Sequence, residues 1–325
     1  MDGSQQFVLE SERACDAQKS PFARLPDWKY RLHDLNRSSF NLALLKYFDF
    51  DGFLITGQHS GTHWIKWMLS HAIAHHYGVP GPRYVNNASS NEIVGHPKHS
   101  RIYKQLPRIA STHSIAPYPL AWAWARRLRR PPPYAVIVRD VRDVLISNYE
   151  KWRDVYNVPF STYVKGDPGG HKYVCDVWWY LRFANRWGAV AQKFPAETLV
   201  LHYEDFVRAP AASLARLARH FGLRLTAADI AAGVAVGSKD VMLRHQDPGV
   251  SERPVRADGS GKHRFPAPIQ PFWTGFWRGT SGMILATAIY AAAFRAQLIA
   301  KTPSARPPAP PPPRPMSRPI PGRRR

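Results

Sequence analysis

Four places along the chain combine side chains that could bind an anion and move a proton. Phe53 to Ile55 form a short apolar run that stops at Gly57. The loop Gln58-His59-Ser60-Gly61-Thr62-His63 follows, and Trp64, Ile65, Trp67, Met68 and Leu69 then begin an apolar stripe at helical spacing. Strand, small-residue loop and helix start together aim backbone N–H groups and the positive end of a helix dipole at an anion. The run RIAST, 108–112, ends at His113, a residue type whose unperturbed pKa suits a general base near neutral pH. YAVIV, 134–138, ends at Arg139-Asp140, and Ser147 stands eight residues beyond the arginine. A guanidinium at a strand end and a hydroxyl two turns into the next helix can meet one phosphate, which suits arginine's planar fork. TLVLHY, 198–203, ends at Tyr203-Glu204-Asp205.

These residues can act together only if their strands share one sheet. The pattern predicts strands at 51–56, 108–112, 134–138 and 198–203. It predicts helices at 61–77, 122–130, 140–152, 174–194 and 211–221, the first and last closed by Gly78 and Gly222. Residues 81–107 read as loop. Strands alternating with helices imply an α/β fold, a parallel central sheet flanked by helices, with ligands outside the carboxyl ends of the strands. There the loop, His113, Arg139 and Tyr203 would offer backbone donors, an imidazole, a guanidinium and a phenol to one multiply charged nucleotide.

The 325 residues, 44% hydrophobic and 12% aromatic, exceed what a disordered chain carries and suffice for a large core. Two cysteines, Cys15 and Cys175, do not make a disulfide framework. The first twenty residues are polar, with no apolar signal segment, and residues 283–300 fall short of a membrane span. A cytoplasmic protein is therefore expected. The formal net charge of +22 favours anionic partners. Seven basic residues and no acid fall in the proline-rich stretch 301–325. The expected organisation is a helical lead-in at 1–50, a nucleotide-binding α/β domain at 51–300 and a disordered Pro/Arg tail at 301–325, the tail being a candidate contact for anionic surfaces. No nucleic-acid motif is visible, so specific nucleic-acid binding is not expected.

At this point the sequence resembles a known family, the sulfotransferases that use 3′-phosphoadenylyl sulfate (PAPS). Ser60-Gly61-Thr62-His63-Trp64 is similar to their S-G-T-x-W loop. Arg139-Asp140-Val141-Arg142-Asp143-Val144-Leu145-Ile146-Ser147 is similar to their R-[ND]-x-x-D-x-x-x-S signature. Thr112-His113 resembles their catalytic T-H pair, and Tyr203-Glu204-Asp205-Phe206 their Y-E-D strand end. The resemblance spans about residues 50–265 in the family's order. It implies a P-loop-like site in which Gln58 to Trp64 face the 5′-phosphosulfate and adenine. Arg139 and Ser147 would hold the 3′-phosphate, and Tyr203 and Ser238 would complete the site. It also implies PAPS as sulfuryl donor, no metal, and a small-molecule, lipid or glycan hydroxyl (or an amine) as acceptor. His113 would take the proton that the acceptor loses.

Two departures stand out. The family's R-K-G-x-x-G signature survives here as Arg256-Ala257-Asp258-Gly259-Ser260-Gly261, keeping Arg256 and Gly261 but putting Asp258 where a phosphate would be opposed. The family's P-[KR]-S-G-T is Gln58-His59-Ser60-Gly61-Thr62, so the loop cation is absent. Two readings follow. Protonated His59 supplies the missing donor, which makes it catalytic alongside His113; or the protein binds nucleotide or polyanion with impaired turnover. Lys66, one turn into the helix, is the other nearby cation. A P-loop kinase-like phosphotransferase is the remaining alternative, but the loop lacks the lysine that follows the second glycine and no clear magnesium-binding acid is apparent.

Overall fold

In the computed structural model, β1 (Gly52–Thr56), β2 (Val94–Gly95), β3 (Ile109–Thr112), β4 (Tyr134–Val138) and β5 (Thr198–His202) form one sheet in the order β2-β3-β1-β4-β5. The described residues are 47–85, 93–98, 101–128, 130–167 and 170–249. Every strand pair is parallel, with Phe53 opposite both Ala110 and Tyr134, and Tyr134 opposite Thr198. Parallel neighbours require crossovers, which helices supply after β1, β3 and β4: α1 (Thr62–Tyr77), α2 (Ala123–Leu128), α3 (Val141–Tyr156), α4 (Phe160–Tyr163) and α5 (Val177–Lys193). After β5 come α6 (Tyr203–Arg208), α7 (Pro210–His220), α8 (Ala227–Ala235) and α9 (Lys239–Arg244).

Both faces of the sheet are covered, so its strands are mostly apolar. Alternate residues of one strand enter different cores. Phe53, Ile55, Val136 and Val138 pack with Trp178, Phe183, Trp187 and Val190 of α5. Leu54, Ala135, Ile137 and Leu201 pack with Ile65, Met68 and Leu69 of α1 and Leu214 and Leu217 of α7. Leu54, Ile55, Ile65 and Phe183 are fully buried, a burial that stabilises by roughly 1.5–3 kcal/mol for each such side chain.

β1 lies at the centre, with β3 on one side and β4 on the other. The chain changes direction across the sheet there, which opens a crevice at the carboxyl ends of these strands. The expected strands are found within a residue or two, and three differences in element are informative. The 81–107 segment contributes the edge strand β2. Tyr203, expected as a strand end, is the first residue of α6. Two unexpected helices, α8 and α9, follow α7. Asp229 anchors α8. It forms a capping box with Thr226 and also accepts bonds from His75 Nδ1 (2.6 Å) and His76 Nδ1 (2.8 Å) at the end of α1. Burial works to raise this carboxyl, but the His75, Thr226 and His76 donors hold it well below the usual carboxylate range.

The lead-in at 1–46, the Arg256–Gly261 positions and the tail lie outside the described residues. No helix among the described residues is long and apolar enough to cross a membrane.

Candidate active site

Gly61 begins the site. It caps α1 at φ 78°, a left-handed backbone that favours glycine, and a Cβ here would lie 2.4 Å from the Tyr203 ring. The loop is thus pressed against the start of α6. No side chain caps α1, and no acid stands in its first turn, so the positive end of this sixteen-residue helix is not neutralised from within its own sequence. His59 is also left-handed, at φ 57°, a conformation that non-glycine residues adopt at some cost. That turn directs its carbonyl to Arg139 Nη1, which donates to it at 2.9 Å.

Arg139 follows the last residue of β4, where the sheet no longer satisfies its backbone. The Tyr180 hydroxyl of α5 fills the gap, accepting from Arg139 N–H at 2.8 Å and donating to Arg139 C=O. The guanidinium lies over the Tyr203 ring at 4.6 Å, and its Nη2 is 3.6 Å from Asp143 in the first turn of α3. Its Nε is buried without a hydrogen-bond partner. A buried donor costs free energy unless something accepts from it, and here it lies beside the loop. Burial pushes the Tyr203 phenol up, while neighbouring Arg139 pulls it down. Asp140 caps α3 through Arg142 N–H at 2.9 Å. Burial works to raise Asp140, but Arg142 holds it below the ordinary carboxyl value.

His113 sits at the end of β3. Its Nδ1 is 2.8 Å from the carbonyl oxygen of Thr56 and 3.1 Å from that residue's hydroxyl, which is itself 2.8 Å from the Thr62 hydroxyl. Thr112 Oγ1 bonds to both the hydroxyl and the N–H of Ser114 (2.8 and 3.2 Å), shaping the chain on either side of the histidine. His113 and the loop are therefore joined through the last residue of β1.

The expected residues divide into groups. Thr62 and His113 meet at Thr56. His59, Arg139, Ser147 and Tyr203 form a second set: His59 Nδ1 is 3.4 Å from Ser147 Oγ, and His59 Nε2 is 3.0 Å from Asn148 Oδ1. Trp64 donates to Gly237 C=O at 2.7 Å and packs edge-on against Tyr203 at 5.7 Å. A Cβ at Gly237 would meet Met68 at 2.8 Å and the Trp64 nitrogen at 3.1 Å, so glycine permits this approach. Adjacent Ser238 caps α9, its hydroxyl 3.4 Å from Val241 N–H. His63 turns aside to Val85 C=O at 3.3 Å. Ser60 is buried and Gln58 is partly exposed. Lys66 is buried in α1, and burial lowers it to about 8.

Thr56, Tyr180 and Asn148 were not anticipated. Asn148 carried a readable signal, because Val141, Val144, Leu145 and Asn148 repeat at helical spacing and all four are buried. A polar residue on that stripe must be hydrogen-bonded inside. Tyr180 lies within the continuous run Val-Trp-Trp-Tyr-Leu, where a phenol cannot be told from core. Among the described residues, no cluster of three or more His, Cys, Asp or Glu could hold a metal ion.

Among solved structures, this chain is similar to mouse sulfotransferase SULT7A1 complexed with PAP, at 17% identity over 79% of this chain and 95% of that one, with a TM-score of 0.47. It is also similar to retinol dehydratase in complex with androsterone and inactive cofactor PAP, at 15% identity over 79% and 82%, with a TM-score of 0.41. No curated protein matches it. A family profile described as "Sulfotransferase domain" matches residues 49–244. That match covers more than half of the chain and runs from the start of β1 to the end of α9, through every strand end described above, so the chain belongs to the sulfotransferase domain family.

Proposed function

We propose that the protein transfers a sulfuryl group from PAPS to a hydroxyl or amine acceptor, with His113 as general base. The observation that carries this reading is the bond between His113 Nδ1 and the Thr56 carbonyl oxygen. A carbonyl only accepts, so Nδ1 carries the proton, and in the neutral ring Nε2 is then the basic nitrogen. The base is thereby fixed in one tautomer at the foot of the anion loop.

The residues present fit a PAPS-like nucleotide with two anionic groups. The uncapped N-terminus of α1 and the backbone around Gly61 suit a phosphosulfate. The unpartnered Nε of Arg139, and Ser147 on the His59 ring, suit a second phosphate. Trp64 and Tyr203 would flank the base, and Ser238, Arg256 and Gly261 would complete the site. When bound, PAPS supplies an activated sulfuryl group on a phosphosulfate anhydride. His113 removes the acceptor proton at Nε2 as the acceptor attacks. Thr62 and the loop N–H groups hold the anion in place, and protonated His59 supplies the positive charge that a loop lysine would otherwise give.

The acceptor is a small molecule, lipid or glycan bearing a hydroxyl or amine. We place the enzyme in the cytoplasm, which accords with a sequence whose two cysteines make no disulfide framework. We further assign the catalytic domain to residues 51–300, with the Pro/Arg tail outside it. Incubation with PAPS and a broad acceptor extract tests the activity: an acceptor gains the mass of a sulfuryl group and the bisphosphate PAP is released.

One observation favours a second reading. The His59 ring is engaged by Asn148 and Ser147, as it would be in a nucleotide or polyanion binder that has lost turnover. Such a protein would bind PAP and release no sulfated product.

A further inference from the structure

Asn148 is fully buried, one residue after Ser147 and on the inner stripe of α3. Its amide nitrogen lies 2.7 Å from the Cys175 carbonyl oxygen, 2.8 Å from Tyr163 Oη and 3.0 Å from Tyr156 Oη. The carbonyl oxygen can only accept, so the atom facing it must be the NH2 group. Tyr163 donates its own proton to the same carbonyl at 2.8 Å, which leaves its oxygen to accept from Asn148. Tyr156 is fixed in turn by Val174 N–H at 3.1 Å. The amide cannot flip without setting two acceptors against each other, a costly fault in a buried place.

The consequence falls on the loop. Asn148 Oδ1 is an obligate acceptor and sits 3.0 Å from His59 Nε2, so Nε2 must carry a proton whatever the charge on the ring. The other nitrogen, Nδ1, is the one directed to Ser147. We propose that Asn148 is a positioning residue for His59: it holds one proton on Nε2 and fixes the ring orientation, so that the second proton of the imidazolium, on Nδ1, is the one presented to the anion of the donor. This rests on the sulfotransferase reading above and extends it. A lysine ammonium offers three equivalent donors and needs no such guide. An imidazolium in its place has only two donors in fixed directions, and a ring turned over would present a carbon, not Nδ1–H, to a phosphate. The departure of the loop from its family pattern and the buried asparagine behind it are thus one device.

The test combines a spectroscopic readout with a mutant cycle. Nitrogen-15 NMR of the wild-type ring should show Nε2 protonated, and Asn148→Leu should release that preference. With turnover, Asn148→Leu should lower kcat by about the same factor as His59→Ala, on the order of 10²-fold, while PAP affinity by calorimetry stays within about threefold of wild type. Retained PAP binding also shows that the variant is folded; Asn148→Ala, which adds no bulk, serves if leucine is not tolerated. In a His59→Lys background the asparagine should be dispensable, with kcat changing by less than about threefold on its replacement, because residues acting as a unit are non-additive. The proposal is overturned if Asn148→Leu slows the His59→Lys enzyme as much as the wild type, or if the ring tautomer is unchanged when Asn148 is removed. A wild type with no turnover on any acceptor would sink the sulfotransferase reading, yet the tautomer measurement would still decide the role of Asn148.

Discussion

His113 Nδ1 lies 2.8 Å from the carbonyl oxygen of Thr56, the last residue of the strand that feeds the anion loop. The bond crosses from the residue after β3 to β1 and leaves Nε2 as the basic nitrogen of the neutral ring. If that nitrogen takes the acceptor proton, His113→Ala should lower kcat by roughly 10²–10⁴-fold and leave PAP affinity near wild type. Steady-state kinetics with parallel calorimetry separates the two quantities. Equal loss of rate and of PAP binding would make the histidine a structural strut between the strands.

Arg139 couples the second half of the site to the first. Its side chain holds the His59 carbonyl, rests over Tyr203 and keeps one buried nitrogen without a partner. Arg139→Ala should weaken PAP binding by about 1.5–3 kcal/mol, the usual worth of a hydrogen bond to a charged group. Adenosine 5′-phosphate, which lacks the 3′-phosphate, should lose much less. Unchanged PAP affinity in this variant would reject the assignment.

His59 is placed to act as the loop cation only if its charge matters to the rate. His59→Ala should cost on the order of 10²-fold in kcat, and His59→Lys should match or exceed wild type. An alanine variant as fast as wild type would hand the role to another cation, Lys66 being the first to test.

Lys66 makes a prediction of its own. Burial lowers its pKa from 10.5 to about 8. Between those values the unfolded chain binds the proton and the folded chain does not, so stability should rise as pH increases from about 8 to 10.5, by at most about 3 kcal/mol from this group. Below pH 8 the buried ammonium opposes folding. Thermal melts of Lys66→Met should therefore show a higher Tm at pH 7 and a flatter pH dependence above 8. A slope identical to wild type would mean that water reaches the amine.

The sheet was legible because parallel strands buried on both faces are short apolar runs closed by polar residues. YAVIV at Tyr134–Val138 is found without a shift of boundary. Val94–Gly95 was not, since two residues carry no period. The alanine-rich helix Ala227–Ala235 has a weak apolar stripe, and its readable mark was the Thr226/Asp229 capping pair. The strand-end residues of the site could be named from chain position and chemistry. Of their supports, Asn148 was marked as a polar residue on a buried stripe, but what it and Thr56 and Tyr180 hold could not be read, because they act through contacts between residues 41 to 89 positions apart. The ring direction of His59 is a tertiary fact of the same kind: the sequence shows that a lysine is absent, but not which nitrogen of the histidine takes its place.

Sulfuryl transfer is read out by its products. Wild-type protein, PAPS and a mixture of phenolic, steroidal, lipid and glycan acceptors should yield PAP together with an acceptor whose mass has increased by one sulfuryl group, read by mass spectrometry. His113→Ala run alongside should give neither at a comparable rate. Tight PAP binding by the wild type with no sulfated product from any acceptor class would contradict the claim and mark the protein as a nucleotide binder.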